Sequence, residues 1–292
     1  MARAIVPVLV AAALMLTACS KANAPTAPGS DPTPATPVVQ TPATPSQGGS
    51  DPQDSETRGQ DAPSGKAPVG SGTAPVPPVK VEPQIKWYSR GIGLPLTSDD
   101  PAAQGKKVVV LTFDDGPSDS GSTASVLDSL KAHNVKAMFF ITGYGARNRD
   151  LVERIHKEGH VLGPHSMTHA NLSRLPLAEV QAEVDPLLKL IEEVAGYKAK
   201  YLRPPFGAYN DQLINYAKEN GMEVLNWTDG SLDWEGVVDG YKDPKLVVEQ
   251  VMEQLHPGAV VLLHDTLKHT AEALPEIITK IKAEGYEFIV LN

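Results

Sequence analysis

From residue 107 onward the chain alternates between two periodicities. Apolar runs of strand length fall at 107–113 (KVVVLTF), 136–142 (KAMFFIT), 160–164 (HVLGP), 200–203 (KYLR), 223–228 (EVLNWT), 259–264 (AVVLLH) and 287–291 (EFIVL). Between them, apolar residues recur at helical spacing: Leu151, Val152 and Ile155; Leu213, Ile214 and Ala217; Leu274, Ile277, Ile278 and Ile281. Gly159, Gly221 and Gly285 stand where left-handed helix caps are expected, and Asp243-Pro244 reads as an N-cap followed by a first-turn proline. The stretch 176–195 contains Pro186 and is expected to kink or divide in two. Seven strands alternating with six helices predict a parallel α/β fold, either a barrel or a doubly wound sheet. In both architectures ligands gather at the C-terminal ends of the strands.

The polar clusters follow that rule. Asp114-Asp115 leave the first strand, His165 and His169 (HSMTH) the third, and Arg203 to Gly207 (RPPFG) the fourth. Asp229 to Trp234 (DGSLDW) follow the fifth strand and His264-Asp265 the sixth. Polar residues scattered at random would fall at both ends, so five clusters at one end predict a single rim of chemistry. One aspartate would suffice to end the first strand in a turn; two in a row after a strand buried on both faces imply separate tasks. His165 and His169 have i, i+4 spacing, which presents two imidazoles on one face if the turn is helical. With a neighbouring carboxylate they make a two-His, one-carboxylate set, the composition of hydrolytic zinc sites and equally of non-haem iron oxygenases. The other histidines, His133, His156, His160, His256 and His269, lie in or beside predicted helices and read as surface residues.

The first third of the chain has another character. Residues 20–80 hold 13 of the 26 prolines and no Phe, Tyr, Trp, Leu, Ile or Met. Such a segment cannot bury enough apolar area to offset the entropy of ordering, and a tether is expected. Before it, MARAIVPVLVAAALMLTAC carries one basic residue, Arg3, and a short apolar stretch, as export signals do. Its Leu16-Thr17-Ala18-Cys19 ending resembles the bacterial lipoprotein signal, which makes Cys19 the expected lipidation site. Cys19 is the only cysteine, so no internal disulfide can form. The expected divisions are 1–18 signal peptide, 19–80 lipidated cysteine and linker, 81–105 lead-in and 106–292 folded domain. The chain would then be exported and lipid-anchored to the bacterial membrane on its extracytoplasmic side. A net charge of −9 with no Lys/Arg cluster argues against nucleic acid as a partner.

Thr112-Phe113-Asp114-Asp115-Gly116, His165 to His169, Arg203-Pro-Pro-Phe206-Gly207, Asp229 to Trp234 and Leu262-Leu263-His264 resemble, in order, the five motifs of the polysaccharide deacetylases (carbohydrate esterase family 4, the NodB homology domain). The resemblance implies a distorted (β/α) barrel of about seven parallel strands. It implies hydrolytic removal of acetyl groups from N-acetylglucosamine-containing polysaccharide, peptidoglycan or chitooligosaccharide, by a monomer. An O-acetyl esterase on xylan-like glycan and an inactive glycan-binding lipoprotein are the alternatives. Also implied is a divalent metal, zinc ahead of cobalt, nickel or manganese, held by Asp115, His165 and His169. Asp114 would be the general base, Arg203 its partner, and His264 the general acid tuned by Asp233, with Asp229 the runner-up. The backbone N–H of Phe206 would stabilise the oxyanion, and Trp234 and Leu262 would line the acetyl pocket. Two positions depart from the family pattern: Phe206, where many relatives have Tyr, and Pro164, where many have Asn.

Overall fold

A computed structural model describes residues 84–291. The signal, the lipidation of Cys19 and the tether lie outside the described residues. The lead-in forms a short antiparallel hairpin, β1 (Tyr88–Ser89) with β2 (Leu96–Thr97). It is docked on the barrel through the Leu96 N–H, which donates to the Gly258 carbonyl at 2.8 Å.

The main strands are β3 (Val108–Asp114), β4 (Met138–Ile141), β5 (Val161–Pro164), β6 (Tyr201–Leu202), β7 (Glu223–Val224), β8 (Asp229–Gly230), β9 (Ala259–His264) and β10 (Glu287–Phe288). Five lie side by side in the order β5-β4-β3-β9-β8, and all of these pairings are parallel. The parallel pair β6-β7 continues the ring, because the Arg203 N–H donates to the Pro164 carbonyl of β5 at 3.3 Å. Thr228, just before β8, extends the β8-β9 pairing, its N–H donating to the Val260 carbonyl at 3.0 Å. The distortion is visible at β3. Val109 to Asp114 pair with β9, while the other edge is shared, β10 on Val108 and Val109 and β4 on Thr112 to Asp114.

Side chains on β3 and β9 alternate between two buried layers, as the pleat requires. Val110 and Val260 join Met138, Phe140 and Leu225 in the barrel interior. Val109, Leu111, Phe113, Val261 and Leu263 face the helices. Those helices are α1 (Ser122–Ala132), α2 (Arg149–Lys157), α3 (Leu177–Ala195), α4 (Asp211–Glu219), α5 (Pro244–Gln254) and α6 (Lys268–Ala283). They bury the expected stripes, with Val152 and Ile155 from α2 and Leu274, Ile277, Ile278 and Ile281 from α6. The Asp243 cap holds, its carboxylate accepting from the Lys245 N–H at 2.9 Å.

Four expectations are corrected. The 176–195 stretch is one helix rather than two across Pro186, because Val180, Val184, Leu187 and Ile191 bury a single face on both sides of the proline. Asp229-Gly230 forms β8 rather than loop: backbone pairing with Val261 and Leu262 overrides poor strand propensity. His160 and His269 are buried, not on the surface. His160 Nδ1 accepts from the Ala137 N–H at 3.1 Å, and its ring packs edge-on against Phe139. Finally, residues 165–169 form a non-helical loop, so the two imidazoles do not converge through helical spacing.

Candidate active site

The alternation that builds β3 places Val110, Thr112 and Asp114 toward the barrel interior. Asp114 ends the strand inside the mouth, almost fully buried. Asp115 leaves it with φ 74°, a left-handed conformation that side chains rarely adopt. Ser166, His169 and Phe206 also have positive φ, at 69°, 57° and 62°. Four of the seven such non-glycine residues described thus cluster at one rim, as backbone strain at a working site does.

This strained backbone, not a helix, brings Asp115, His165 and His169 together. One ligand atom from each lies within 4.8 Å of the others. Asp115 Oδ1 is 3.5 Å from His165 Nε2 and 3.3 Å from His169 Nε2. It is buried and has no hydrogen-bond donor. His165 Nδ1 donates to the Arg203 carbonyl at 2.8 Å, which aims Nε2 at the cluster. Burial lowers the His165 pKa against the pull of Asp114 and Asp115, favouring the neutral imidazole that ligation needs. A bare carboxylate oxygen and two oriented imidazoles fit a divalent cation with coordination positions left open.

On one side of the cluster stands Asp114, with Oδ2 3.7 Å from His165 Nε2. Its Oδ1 accepts from Arg203 Nη1 at 2.9 Å. Arg203 is completely buried. It also donates to the Thr112 hydroxyl at 2.6 Å and the Leu225 carbonyl at 3.0 Å, and stacks over Phe140 at 4.3 Å. Burial lowers the Arg203 pKa, and Asp114 opposes that shift. The guanidinium supplies the countercharge a buried carboxylate needs.

On the other side stands His264, whose Nδ1 donates to Asp233 Oδ1 at 2.8 Å. Its Nε2 turns toward the cluster, 3.9 Å from Asp115 Oδ2. Burial works against the imidazolium, but the Asp233 carboxylate outweighs it and, with Asp114 and Asp115 adding, raises the pKa to about 9. Asp233 is held by more than His264. Its Oδ2 accepts from the His264 N–H at 2.8 Å and the Thr270 hydroxyl at 2.7 Å, and its carbonyl accepts from His269 Nε2 at 2.8 Å. Burial pushes Asp233 up, yet these donors, His264 foremost, bring it below the usual carboxylate range.

Asp233, not Asp229, is therefore the partner of His264. Asp229 is equally buried, but neither carboxylate oxygen meets a donor, and burial alone pushes its pKa up to about 7. Trp234 sets its edge against the His264 ring at 5.3 Å, and Leu262 lies beneath the rim, paired with Thr112 and Gly230. The Phe206 ring meets His169 at 4.7 Å.

Several supports were not legible as site residues. Glu183 on α3 pins the histidine loop, its carbonyl accepting from the Met167 N–H at 2.9 Å and its carboxylate from Thr168. Thr270 and His269 begin α6 with no motif around them. Asp265 lies under Gly116, where a Cβ would fall 2.1 Å from its Oδ2. Only the adjacency of Asp265 to His264 hinted at its place.

A (β/α) barrel with an Asp-His-His cluster between an anchored carboxylate and an anchored imidazole is equipped for metal-assisted attack of water on a carbonyl. Comparison with known proteins places the chain within a class of that kind. The polysaccharide deacetylase family model matches residues 102–225. The chain is 35% identical to the peptidoglycan-N-acetylmuramic acid deacetylase PdaA of Bacillus subtilis, over 63% of this chain and 69% of that protein. It is 39% identical to the peptidoglycan-N-acetylglucosamine deacetylase PgdA of Listeria monocytogenes, over 66% of this chain but only 40% of that protein. A crystal structure of a peptidoglycan N-acetylglucosamine deacetylase in complex with a substituted N-hydroxybenzamide superposes with a TM-score of 0.59 at 34% identity, covering 63% of this chain and 86% of the other. The chain belongs to the polysaccharide deacetylase family.

Proposed function

We propose that this protein removes acetyl groups from N-acetylglucosamine-containing polysaccharide, peptidoglycan foremost. The observation that carries the reading is the opposition of Asp114 and His264 across the Asp115-His165-His169 cluster, each with one working atom turned inward. A divalent metal bound by Asp115, His165 and His169, zinc foremost for this donor set, would supply a Lewis acid for the acetamide carbonyl and for water. Asp114 takes the proton of the attacking water through Oδ2, while Arg203 holds Oδ1 and fixes the carboxylate plane. The Phe206 N–H donates to the developing oxyanion. His264, kept protonated by Asp233, gives the Nε2 proton to the departing amine, and Trp234 and Leu262 bound the space for the acetyl methyl. Relatives named for N-acetylglucosamine and for N-acetylmuramic acid both match, which supports a cell-wall substrate.

The same proposal takes Cys19 as a lipid anchor that keeps the enzyme at the envelope, close to an insoluble polymer. Labelled fatty acid should enter the wild-type chain and not Cys19→Ser. For the activity, the full chain is incubated with N-acetylglucosamine oligomers and with peptidoglycan. Acetate should appear, stop on chelation and return with added Zn²⁺. Absence of acetate from every acetylated glycan would overturn the reading.

A further inference from the structure

The loop after β4 reads Gly143-Tyr144-Gly145, and its two glycines are buried while Tyr144 is 63% exposed. Neither glycine could carry a side chain. A Cβ at Gly143 would fall 2.5 Å from the Met167 carbonyl oxygen, and one at Gly145 would fall 2.0 Å from that of Gly116. The loop is thus pressed between the two segments that carry the metal-binding residues. Hydrogen bonds fasten it there: Gly143 N–H to the Ser166 carbonyl (3.1 Å), Thr142 N–H to the Gly116 carbonyl (3.2 Å) and the Thr142 hydroxyl to the Asp115 carbonyl (2.8 Å).

A lone exposed tyrosine needs no explanation. One raised between two closely packed glycines and locked to the backbone of Asp115 and Ser166 is a fixed surface beside the site. It walls a recess of about 230 Å³ whose lining includes Asp115, Met167 and His169. Neither Trp234 nor His264 lines it. Arg147 lies over the Tyr144 ring at 5.6 Å. Its neighbours Arg149 and Arg154 are paired with carboxylates, whereas among the described residues Arg147 is in no ion pair. A rigid aromatic face with an unpaired guanidinium is a surface for a pyranose ring that carries an acidic group.

We propose that Tyr144 and Arg147 form a subsite for the sugar flanking the acetyl-bearing one, Tyr144 stacking on its ring and Arg147 selecting a carboxylate on it. This rests on the deacetylase reading and adds to it an anionic, muramyl-type glycan as the preferred polymer. The full chain is assayed on three substrates: a neutral N-acetylglucosamine pentamer, a peptidoglycan glycan fragment stripped of peptides so that its lactyl carboxylates are free, and 4-nitrophenyl acetate, which has no flanking sugar. In Tyr144→Ala the ratio of pentamer to aryl acetate kcat/KM should fall about tenfold, through KM rather than kcat, and Tyr144→Trp should restore it. In Arg147→Gln the ratio of carboxylated to neutral glycan kcat/KM should fall about fivefold. An unchanged pentamer-to-aryl-acetate ratio in Tyr144→Ala overturns the platform. Equal change on both glycans in Arg147→Gln overturns the carboxylate preference. Failure of the wild-type chain to deacetylate either glycan would instead sink the underlying reading.

Discussion

Two buried ion pairs face each other across the site, and they are built in opposite senses. In Asp114–Arg203 the cation is the fixed member, held by Asp114, Thr112 and Leu225, and the carboxylate keeps Oδ2 for work. In Asp233–His264 the anion is the fixed member, held by His264, Thr270 and the backbone, and the imidazole keeps Nε2 for work. The member with more anchors becomes the frame, and the other becomes the reagent. In the proposed mechanism one pairing thereby yields a base on one side and an acid on the other, so that a single site handles both ends of a hydrolysis.

The comparison breaks first at the reagents. Asp114→Asn should lower kcat by roughly 10²–10⁴-fold on glycan amides and on aryl acetates alike, since both need an activated water, while metal binding measured by calorimetry is kept. Loss of the metal instead would mean that the two aspartates have exchanged roles. His264→Gln should cost about as much on amides but less than about tenfold on 4-nitrophenyl acetate, because a nitrophenolate leaves without a proton and an amine does not. Equal losses on both substrates would remove the distinction between base side and acid side.

The frames come next. Arg203→Met leaves Asp114 buried without a countercharge and should destabilise the fold by about 3–5 kcal/mol in denaturant titration. Thr270→Val removes one donor to Asp233 and should lower amide turnover by about tenfold, the equivalent of roughly 1.5 kcal/mol, with aryl acetate turnover much less affected. Thr270→Ser should recover the loss, which a purely packing role would not allow.

The last contrast, read in pH rather than in turnover, concerns the two aspartates of the β8 loop, both fully buried and four residues apart. Asp233 has its donors; Asp229 has none, and its folded pKa of about 7 lies above the ordinary 3.8. Folding then favours the protonated carboxyl, so the contribution of Asp229 to stability is best below pH 4 and declines as pH rises toward 7. Asp229→Asn should accordingly be more stable than wild type at pH 8, by up to about 4 kcal/mol, with the gap closing toward pH 4 in parallel denaturant melts. A gap that persists at pH 4 would mean that a buried charge is not its cause.

Much of this arrangement was legible in the residues. The continuous apolar run into Asp114-Asp115 announced a strand buried on both faces, and β3 is buried along its whole length. The polar clusters at one end of each strand do meet at one rim. What was not legible depended on contacts between distant segments. The spacing of His165 and His169 suggested a helical face, but positive φ at Ser166 and His169, held by Glu183, does the converging. His269 looked like a surface residue because it lies in or beside a predicted helix, yet the first turn of α6 is covered by the Asp233 loop. The choice between Asp233 and Asp229 turned on which carboxylate met donors, and those donors come from the end of β9 and the start of α6, more than 30 residues away.

The division has a physical cause. Strand and helix periodicity, caps and the order of polar clusters are local properties, because burial of alternate or every third-to-fourth side chain is written in adjacent residues. The sequence by itself therefore determined the parallel α/β architecture, the rim on which chemistry gathers and the residues proposed as metal ligands, base and acid. Which member of each ion pair is frame and which is reagent, where Asp229 stands and how Tyr144 is raised beside the cluster were decided only in the tertiary structure. Those outcomes depend on desolvation and on hydrogen bonds between segments far apart in the chain, and neither is encoded at any single spacing.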